Sequence, residues 1–136
     1  MENFDKYFLP EKKIFLENIS YETVRMDAVP GSMKLECKDT IVAQLMENAV
    51  KINFNRAVNF EPEGIFSLSV TFSTVLVFDP GKKGEVDWKN TDIAGEFKKG
   101  CPQILSALMS RTSLMIAQIT AAQGQNPLIT PAAPVK

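Results

Sequence analysis

The segment IFSLSVTFSTVLVF, residues 65–78, decides the fold class because apolar and small polar side chains alternate along it. Successive side chains of a β-strand point to opposite faces of its sheet. The pattern therefore predicts a strand with one buried and one wetter face, which is typical of an antiparallel sheet. Six apolar side chains are expected on the buried face: Phe66, Leu68, Val70, Phe72, Leu76 and Phe78.

Three earlier segments have a similar strand-like pattern. Residues 14–25 are rich in β-branched and aromatic side chains, which favour strands. Residues 33–45 alternate between apolar and polar side chains and are compatible with one long strand or two short ones. Residues 49–60 form a third run, in which Arg56 interrupts the apolar face. In the first of these segments, one face is expected to carry Phe15, Ile19 and Tyr21.

Helical patterns follow the strands. Residues 79–89 (DPGKKGEVDWK) indicate an exposed loop that Trp88 attaches to the body. Thr91 is predicted to cap a short helix that runs through Lys98. A long helix is expected over residues 102–122, with proline at its first position. Its broad apolar stripe comprises Ile104, Leu105, Leu108, Met109, Met115, Ile116 and Ile119.

These elements predict an α+β fold, a four-stranded antiparallel sheet with a long C-terminal helix packed on one face. The length of 136 residues suits one domain, 1–136, which ends in a proline-rich segment at 123–136. The apolar stripe of the long helix is wider than one sheet is expected to cover. A helix that is apolar on several sides is buried on more than one of them, so the stripe predicts contact between subunits.

Composition narrows the classes of partner. Fifteen basic and sixteen acidic residues give a net charge of -1, whereas a nucleic-acid-binding domain would carry a basic face. No run approaches the ~18 consecutive apolar residues of a membrane span. The N-terminal segment 1–10 lacks the basic start and apolar core of a signal peptide. We therefore expect a cytoplasmic protein without nucleic-acid binding or membrane insertion.

The sequence contains no histidine, the side chain that most often serves as general base and metal ligand. Serine–histidine and cysteine–histidine catalytic pairs are therefore excluded. Cys37 lies on an apolar strand face, whereas Cys101 precedes the long helix, whose N-terminus could lower the pKa of its thiol. Two cysteines alone do not make a structural zinc site. We predict no catalytic residue, metal or cofactor; an enzyme with a carboxylate- or serine-based site is a weaker alternative.

Three short sequence motifs occur in the same order as in one known protein family. They are FLENISYE at 15–22, CPQIL at 101–105 and NPLITPAAPV at 126–135. Together with the order of strands and helices, they resemble the SecB family of protein-export chaperones. The resemblance covers most of the chain in the order of its elements. The sequence similarity is close only in the first strand and in the last third of the chain.

The resemblance implies an assembly of dimers of dimers, in which the first strand and the long helix make the contacts between subunits. Clients wrap around such an assembly in apolar grooves between sheet edge, crossover loop and helix. The oligomer interface is then expected to include Phe15, Ile19, Tyr21, Leu105, Leu108, Met109, Met115 and Ile116. The client-binding set is expected to include Val24, Met26, Val29, Met33, Leu35, Leu128 and Ile129. Taken singly, each of these client-binding residues fits an ordinary core or subunit interface better, whereas the set as a whole favours the groove.

The function that the resemblance implies is that of an ATP-independent holdase for unfolded polypeptides, in protein export or for a dedicated client. Export members present acidic side chains to the translocase motor. Here Asn18 and Glu22 are the candidate motor contacts, and Glu22 is also compatible with an ordinary solvated strand face. Asn18 replaces one acid of the family pattern and Val70 replaces another. The near-neutral charge also departs from the family. A chaperone of a toxin–antitoxin pair and an oligomeric structural or adaptor protein are the alternatives.

Overall fold

A computed structural model of the chain describes residues 1–23, 34–61, 66–122 and 128–131. The described elements are strands β1 (Ile14–Thr23), β2 (Lys34–Leu45), β3 (Ala49–Glu61) and β4 (Phe66–Val77), followed by helices α1 (Ile93–Gly100) and α2 (Pro102–Ala122). The strands form one antiparallel sheet in the order β1-β4-β3-β2. The predicted fold class, an antiparallel sheet of four strands with a long C-terminal helix, is confirmed.

The inner face of the sheet carries the core, as the alternation at 65–78 predicts. All six side chains expected on that face are buried, and so are Val50, Ile52, Phe54 and Val58 of β3. Residues 34–45 form a single strand whose pairing with β3 continues without a shift from Lys34 to Leu45. The choice between one long strand and two short ones is thereby settled in favour of one.

Strand β1 contains a β-bulge that the sequence pattern does not reveal. Leu16 pairs with Phe72 of β4, and Asn18 pairs with the next residue, Thr71. Glu17 is therefore an extra residue on β1 at this point. An inserted residue changes which face each following side chain takes, because side chains alternate with a period of two.

The bulge separates residues that the sequence placed together. Directly paired residues of an antiparallel sheet lie on the same face. Phe15 pairs with Ser73 on the outer face, and the Lys51 ammonium lies 5.9 Å from the centre of its ring. Ile19 and Tyr21, beyond the bulge, lie on the inner face. The prediction that Phe15 shares their face is wrong.

Helix α1 begins one residue later than the capping pattern suggested. The Asp92 side chain accepts a hydrogen bond of 3.2 Å from the backbone N–H of Gly95, which satisfies a free donor of the first turn. The Thr91 hydroxyl instead donates to the Asp87 carbonyl over 2.8 Å. Thr91 is therefore wrong as the cap, because its hydroxyl closes the preceding turn, and α1 extends to Gly100.

Helix α2 has the predicted bounds and packs one face onto the sheet. Its buried stripe comprises Leu105, Leu108, Met109, Thr112, Ile116 and Thr120. By length and composition alone α2 could cross a membrane, with a mean hydropathy of 1.2 over 18 residues. The core helix of a globular domain meets the same test, and a third of the apolar window of α2 is buried within the protomer.

An aromatic cluster closes one end of the sheet and attaches the loop that precedes α1. The Trp88 ring centre lies 5.0 Å from that of Phe78, 5.4 Å from Tyr7 and 6.0 Å from Phe4. The indole N–H donates to the Lys83 carbonyl over 2.9 Å. Trp88 therefore attaches the loop at 79–89 to the body, as expected.

The N-terminal turn fits tightly against the end of α1. A Cβ atom placed on Gly100 would lie only 2.6 Å from Cβ of Phe4, whereas one on Gly84 would meet nothing within 4 Å. Gly100→Ala is expected to lower the free energy of unfolding by about 1 kcal/mol or more. Overpacking costs about 1–3 kcal/mol and exceeds the gain in helix propensity. Urea denaturation measures the difference, and Gly84→Ala is the matched control; equal effects of the two would contradict the close contact.

Candidate functional site

Residues 128–131, here called the tail segment, lie in a groove between α2 and the inner side of β2 and β3. At one end, the backbone N–H of Leu128 donates to Oγ1 of Thr120 over 2.8 Å. At the other end, the Ser113 hydroxyl donates to the Pro131 carbonyl over 3.1 Å. Because Thr120 follows Ser113 along α2, the tail segment runs antiparallel to the helix.

The side chains of the tail segment alternate between the groove and the solvent. Leu128 is half-buried and packs against the core. Ile129 is 79% exposed, Thr130 is only 5% exposed, and Pro131 is exposed again. This alternation is that of an extended chain. The groove beside α2 therefore contains an extended peptide with every second side chain turned inward.

Arg56 is the polar centre of this groove, and its side chain is fully buried. Its Nε and Nη2 atoms donate to the two carboxylate oxygens of Asp39 over 2.7 and 2.8 Å. Its Nη1 atom donates to the Ser113 hydroxyl over 3.0 Å, to the Thr130 hydroxyl over 2.9 Å and to the Pro131 carbonyl. A buried guanidinium needs such partners, because leaving water costs several kcal/mol per ion. One arginine thus joins β2, β3, α2 and the tail segment.

A second concave surface lies at the tip of the β2–β3 hairpin. A cavity of about 490 Å³ opens there between the hairpin and the loop that carries Trp88. Its apolar walls include Leu45, Met46, Val86 and Trp88. Leu45 and Met46 are also among the exposed apolar side chains of the described part of the chain.

The strand order makes β1 an edge strand of the sheet. An edge strand presents unpaired backbone donors and acceptors to another chain. Three large apolar side chains of β1 are exposed: Phe15, Leu16 and Ile19. Phe15 projects from the outer face of the sheet, and Leu16 and Ile19 project from the inner face, which makes this edge a candidate for contact with a second subunit.

Comparison with known proteins identifies the fold. No protein-family model and no curated protein matches the chain. Among solved structures, it is similar to the SecB-like chaperone Rv1957 of Mycobacterium tuberculosis in complex with a ChAD peptide from the antitoxin HigA1 (Rv1956), with a TM-score of 0.63. The match covers 88% of this chain and 86% of that chain at 10% sequence identity. The chain has a SecB-like fold.

The structure describes only some of the predicted client-binding residues. Four lie outside the described residues: Val24, Met26, Val29 and Met33. Leu35 belongs to β2, but its side chain is likewise outside the description. Leu128 and Ile129 belong to the tail segment. Binding of a client by this set stays a prediction.

The residues predicted for the oligomer interface divide into three groups by exposure. Four of the helix residues are buried within this protomer: Leu105, Leu108, Met109 and Ile116. Almost none of the surface area of these four is left for a second subunit, whereas Ile104 and Ile119 of the predicted stripe are only half-buried. Met115 is half-buried beside the stripe, and Tyr21 stacks on Phe66 with ring centres 5.5 Å apart. Phe15 and Ile19 are accessible, on opposite faces of β1.

The candidate motor contacts, Asn18 and Glu22, are both exposed on the outer face of the sheet. Contact with a motor through them stays a prediction. Val70, by contrast, is fully buried on the inner face. Its side chain is therefore not available for contact with a motor, and its correspondence to an acid of the family pattern stays a prediction.

The Cys101 thiol is not an activated nucleophile. Burial, reinforced by the nearby Asp5 carboxylate, raises the pKa of Cys101 to about 11. The helix N-terminus does not lower this pKa as the sequence position suggested, because desolvation has the larger effect. Burial also raises the pKa of Cys37. Within the described ranges, no three histidine, cysteine, aspartate or glutamate side chains form a group that could bind a metal ion.

Proposed function

We propose that this chain is an ATP-independent holdase that binds unfolded client polypeptides in the cytoplasm and catalyses no reaction. The SecB-like fold supports the proposal. The observation that carries it is the groove beside α2, which contains an extended stretch of the chain's own peptide. A groove that accommodates four consecutive residues of one peptide has the shape and the hydrogen-bonding groups to accommodate another.

The proposed binding is tolerant of sequence for a physical reason. Apolar side chains contribute about 25 cal/mol for each Å² removed from water, whatever their order in the client. Backbone groups of any extended client can form the hydrogen bonds that the tail segment forms here. A client held in this way is kept from folding or aggregating until it is transferred to another protein.

Suppression of aggregation tests the holdase proposal. We expect the protein, without ATP, to reduce light scattering when chemically denatured citrate synthase is diluted into buffer. An equal mass of lysozyme serves as the control for non-specific protection. An adaptor that uses its apolar surface only for self-assembly would leave the scattering unchanged, and that result would reject the holdase function.

We also propose that the chain assembles into dimers of dimers through the edge strand β1. Ile19→Lys is expected to shift the light-scattering mass at micromolar concentration to a smaller species, because it places a charge within the contact. Val42→Lys is the matched control, since Val42 is a similarly exposed aliphatic residue on the other edge strand, β2. A monomeric wild-type protein, or the same mass for both variants, would contradict this interface.

A dedicated client is the second candidate. The structural neighbour is in complex with a peptide from an antitoxin, which favours a chaperone of a toxin–antitoxin pair over a general export factor. For export, Asn18 and Glu22 would contact the translocase motor. Purification of the tagged protein from its native host, followed by mass spectrometry, separates the two: one recurring small protein indicates a dedicated client, and many export precursors indicate translocation.

A further inference from the structure

We propose that the tail segment is a built-in substitute for a client: it occupies the groove beside α2, and a client segment with the same pattern displaces it. The inference rests on the proposed holdase function and specifies the kind of peptide that the groove accepts. It follows from the contacts of the tail segment, which belong to two classes: those that any peptide could form and those that require particular side chains.

The first class of contacts involves only the peptide backbone. The groove accepts the N–H of Leu128 at Thr120 and donates to the carbonyl of Pro131 from Ser113 and Arg56. Every extended peptide without proline at the first of these positions presents the same N–H and C=O groups. A client can therefore replace the tail segment at these three groups without any match in side chains.

The second class of contacts depends on side chains and gives the groove a preference. Leu128 packs against the core, and two residues later the Thr130 hydroxyl accepts from Nη1 of Arg56 over 2.9 Å and donates to Ser113 over 3.0 Å. Ile129, between them, points to solvent. The favoured ligand is therefore an extended segment with an aliphatic residue followed, two positions later, by threonine or serine.

Exchange is favoured over simple departure of the tail segment. Arg56 is fully buried, and release of the tail segment removes two of the three acceptors described for its Nη1 atom, the Thr130 hydroxyl and the Pro131 carbonyl, and leaves the Ser113 hydroxyl. A buried donor that loses its acceptor is costly unless another group replaces it. A client that supplies a hydroxyl and a carbonyl at the same places restores both bonds. The tail segment, tethered to α2, competes at a high effective concentration, so it discriminates against weakly matched peptides.

A reversible covalent lock tests this competition in the full-length chain. The hydroxyl oxygens of Ser113 and Thr130 are 3.0 Å apart, so cysteines at both positions bring two sulfur atoms close enough to bond. In the double variant Ser113→Cys/Thr130→Cys, oxidation fixes the tail segment in the groove. We expect the affinity for fluorescent, reduced and carboxymethylated α-lactalbumin to fall at least about tenfold on oxidation and to return on reduction.

Two controls accompany the lock. The wild-type protein, oxidised in the same way, should bind the probe as tightly as before oxidation, which accounts for the native Cys37 and Cys101. Mass spectrometry should show the new bond, and failure of that bond to form would contradict the docked position. Equal affinity of the oxidised and reduced double variant would overturn the competition while leaving the holdase function intact. A wild-type protein that binds no unfolded probe would overturn both.

The peptide preference has a test of its own. A labelled peptide with the order Leu-Ile-Thr-Pro is expected to bind the Thr130→Val variant, which keeps Ser113 but weakens the tail segment, several-fold more tightly than the same peptide with valine in place of threonine. Valine matches the shape of threonine but provides no hydroxyl for Arg56, so the comparison isolates the hydrogen bond. Equal binding of the two peptides would reject the proposed pattern.

Discussion

Asp39→Ala is expected to lower the free energy of unfolding by about 3–5 kcal/mol, because it removes the carboxylate to which the buried guanidinium of Arg56 donates two hydrogen bonds. Both carboxylate oxygens of Asp39 accept from Arg56 in a two-pronged arrangement, and the Arg56 side chain is fully buried. Alanine replaces neither acceptor. Urea denaturation followed by circular dichroism measures the loss.

Two further variants determine whether the loss comes from the charge. Glu36→Ala removes an exposed carboxylate from the same strand and should change the stability by no more than about 0.5 kcal/mol. The double variant Asp39→Leu/Arg56→Met replaces both partners by apolar side chains and should recover much of the stability, since no buried charge is then left unpaired. A double variant as unstable as Asp39→Ala would contradict the unpaired charge as the cause of the loss.

The sheet could be predicted from the sequence because its signal is local. Within residues 65–78 the alternation alone indicates which side chains are inward, and the structure buries all six of the apolar ones expected there. Helix α2 could be predicted equally well, since its N-terminal proline and the spacing of its apolar residues lie within one segment. The bulge at Glu17 is different: it is defined by pairing with β4, more than 50 positions away, and no feature of β1 alone reveals it.

The groove beside α2 was missed because its parts lie far apart along the chain. From the sequence alone, Arg56 is only an interruption of the apolar face of its strand. An arginine whose side chain points into the core nevertheless requires a buried hydrogen-bond acceptor. Asp39 has the inward parity of β2, which was a usable signal, but only the register of β2 with β3 places it opposite Arg56. The contribution of Ser113 and Thr130 depends on how the chain returns along α2, which sequence spacing does not determine.

Trp88→Ala is expected to destabilise the protein by about 3–5 kcal/mol, the usual cost of removing a buried aromatic side chain. Trp88 is 5% exposed, and the rings of Tyr7, Phe8 and Phe78 lie within 6 Å of it, centre to centre. The truncation leaves a cavity at the end of the sheet and releases the loop that precedes α1. Because Trp88 is the only tryptophan, unfolding must be followed by circular dichroism rather than by fluorescence.

Lys89→Ala is the matched control for this variant, since the neighbouring lysine is exposed and its truncation removes no buried area. We expect the control to remain within about 0.5 kcal/mol of the wild type. Trp88→Phe should recover part of the loss, because a smaller ring retains some of the aromatic contacts but not the hydrogen bond to the Lys83 carbonyl. If Trp88→Ala were no less stable than Lys89→Ala, the loop at 79–89 would contribute nothing to the stability of the core. Trp88 would then not form a fixed wall of the cavity at the tip of the β2–β3 hairpin.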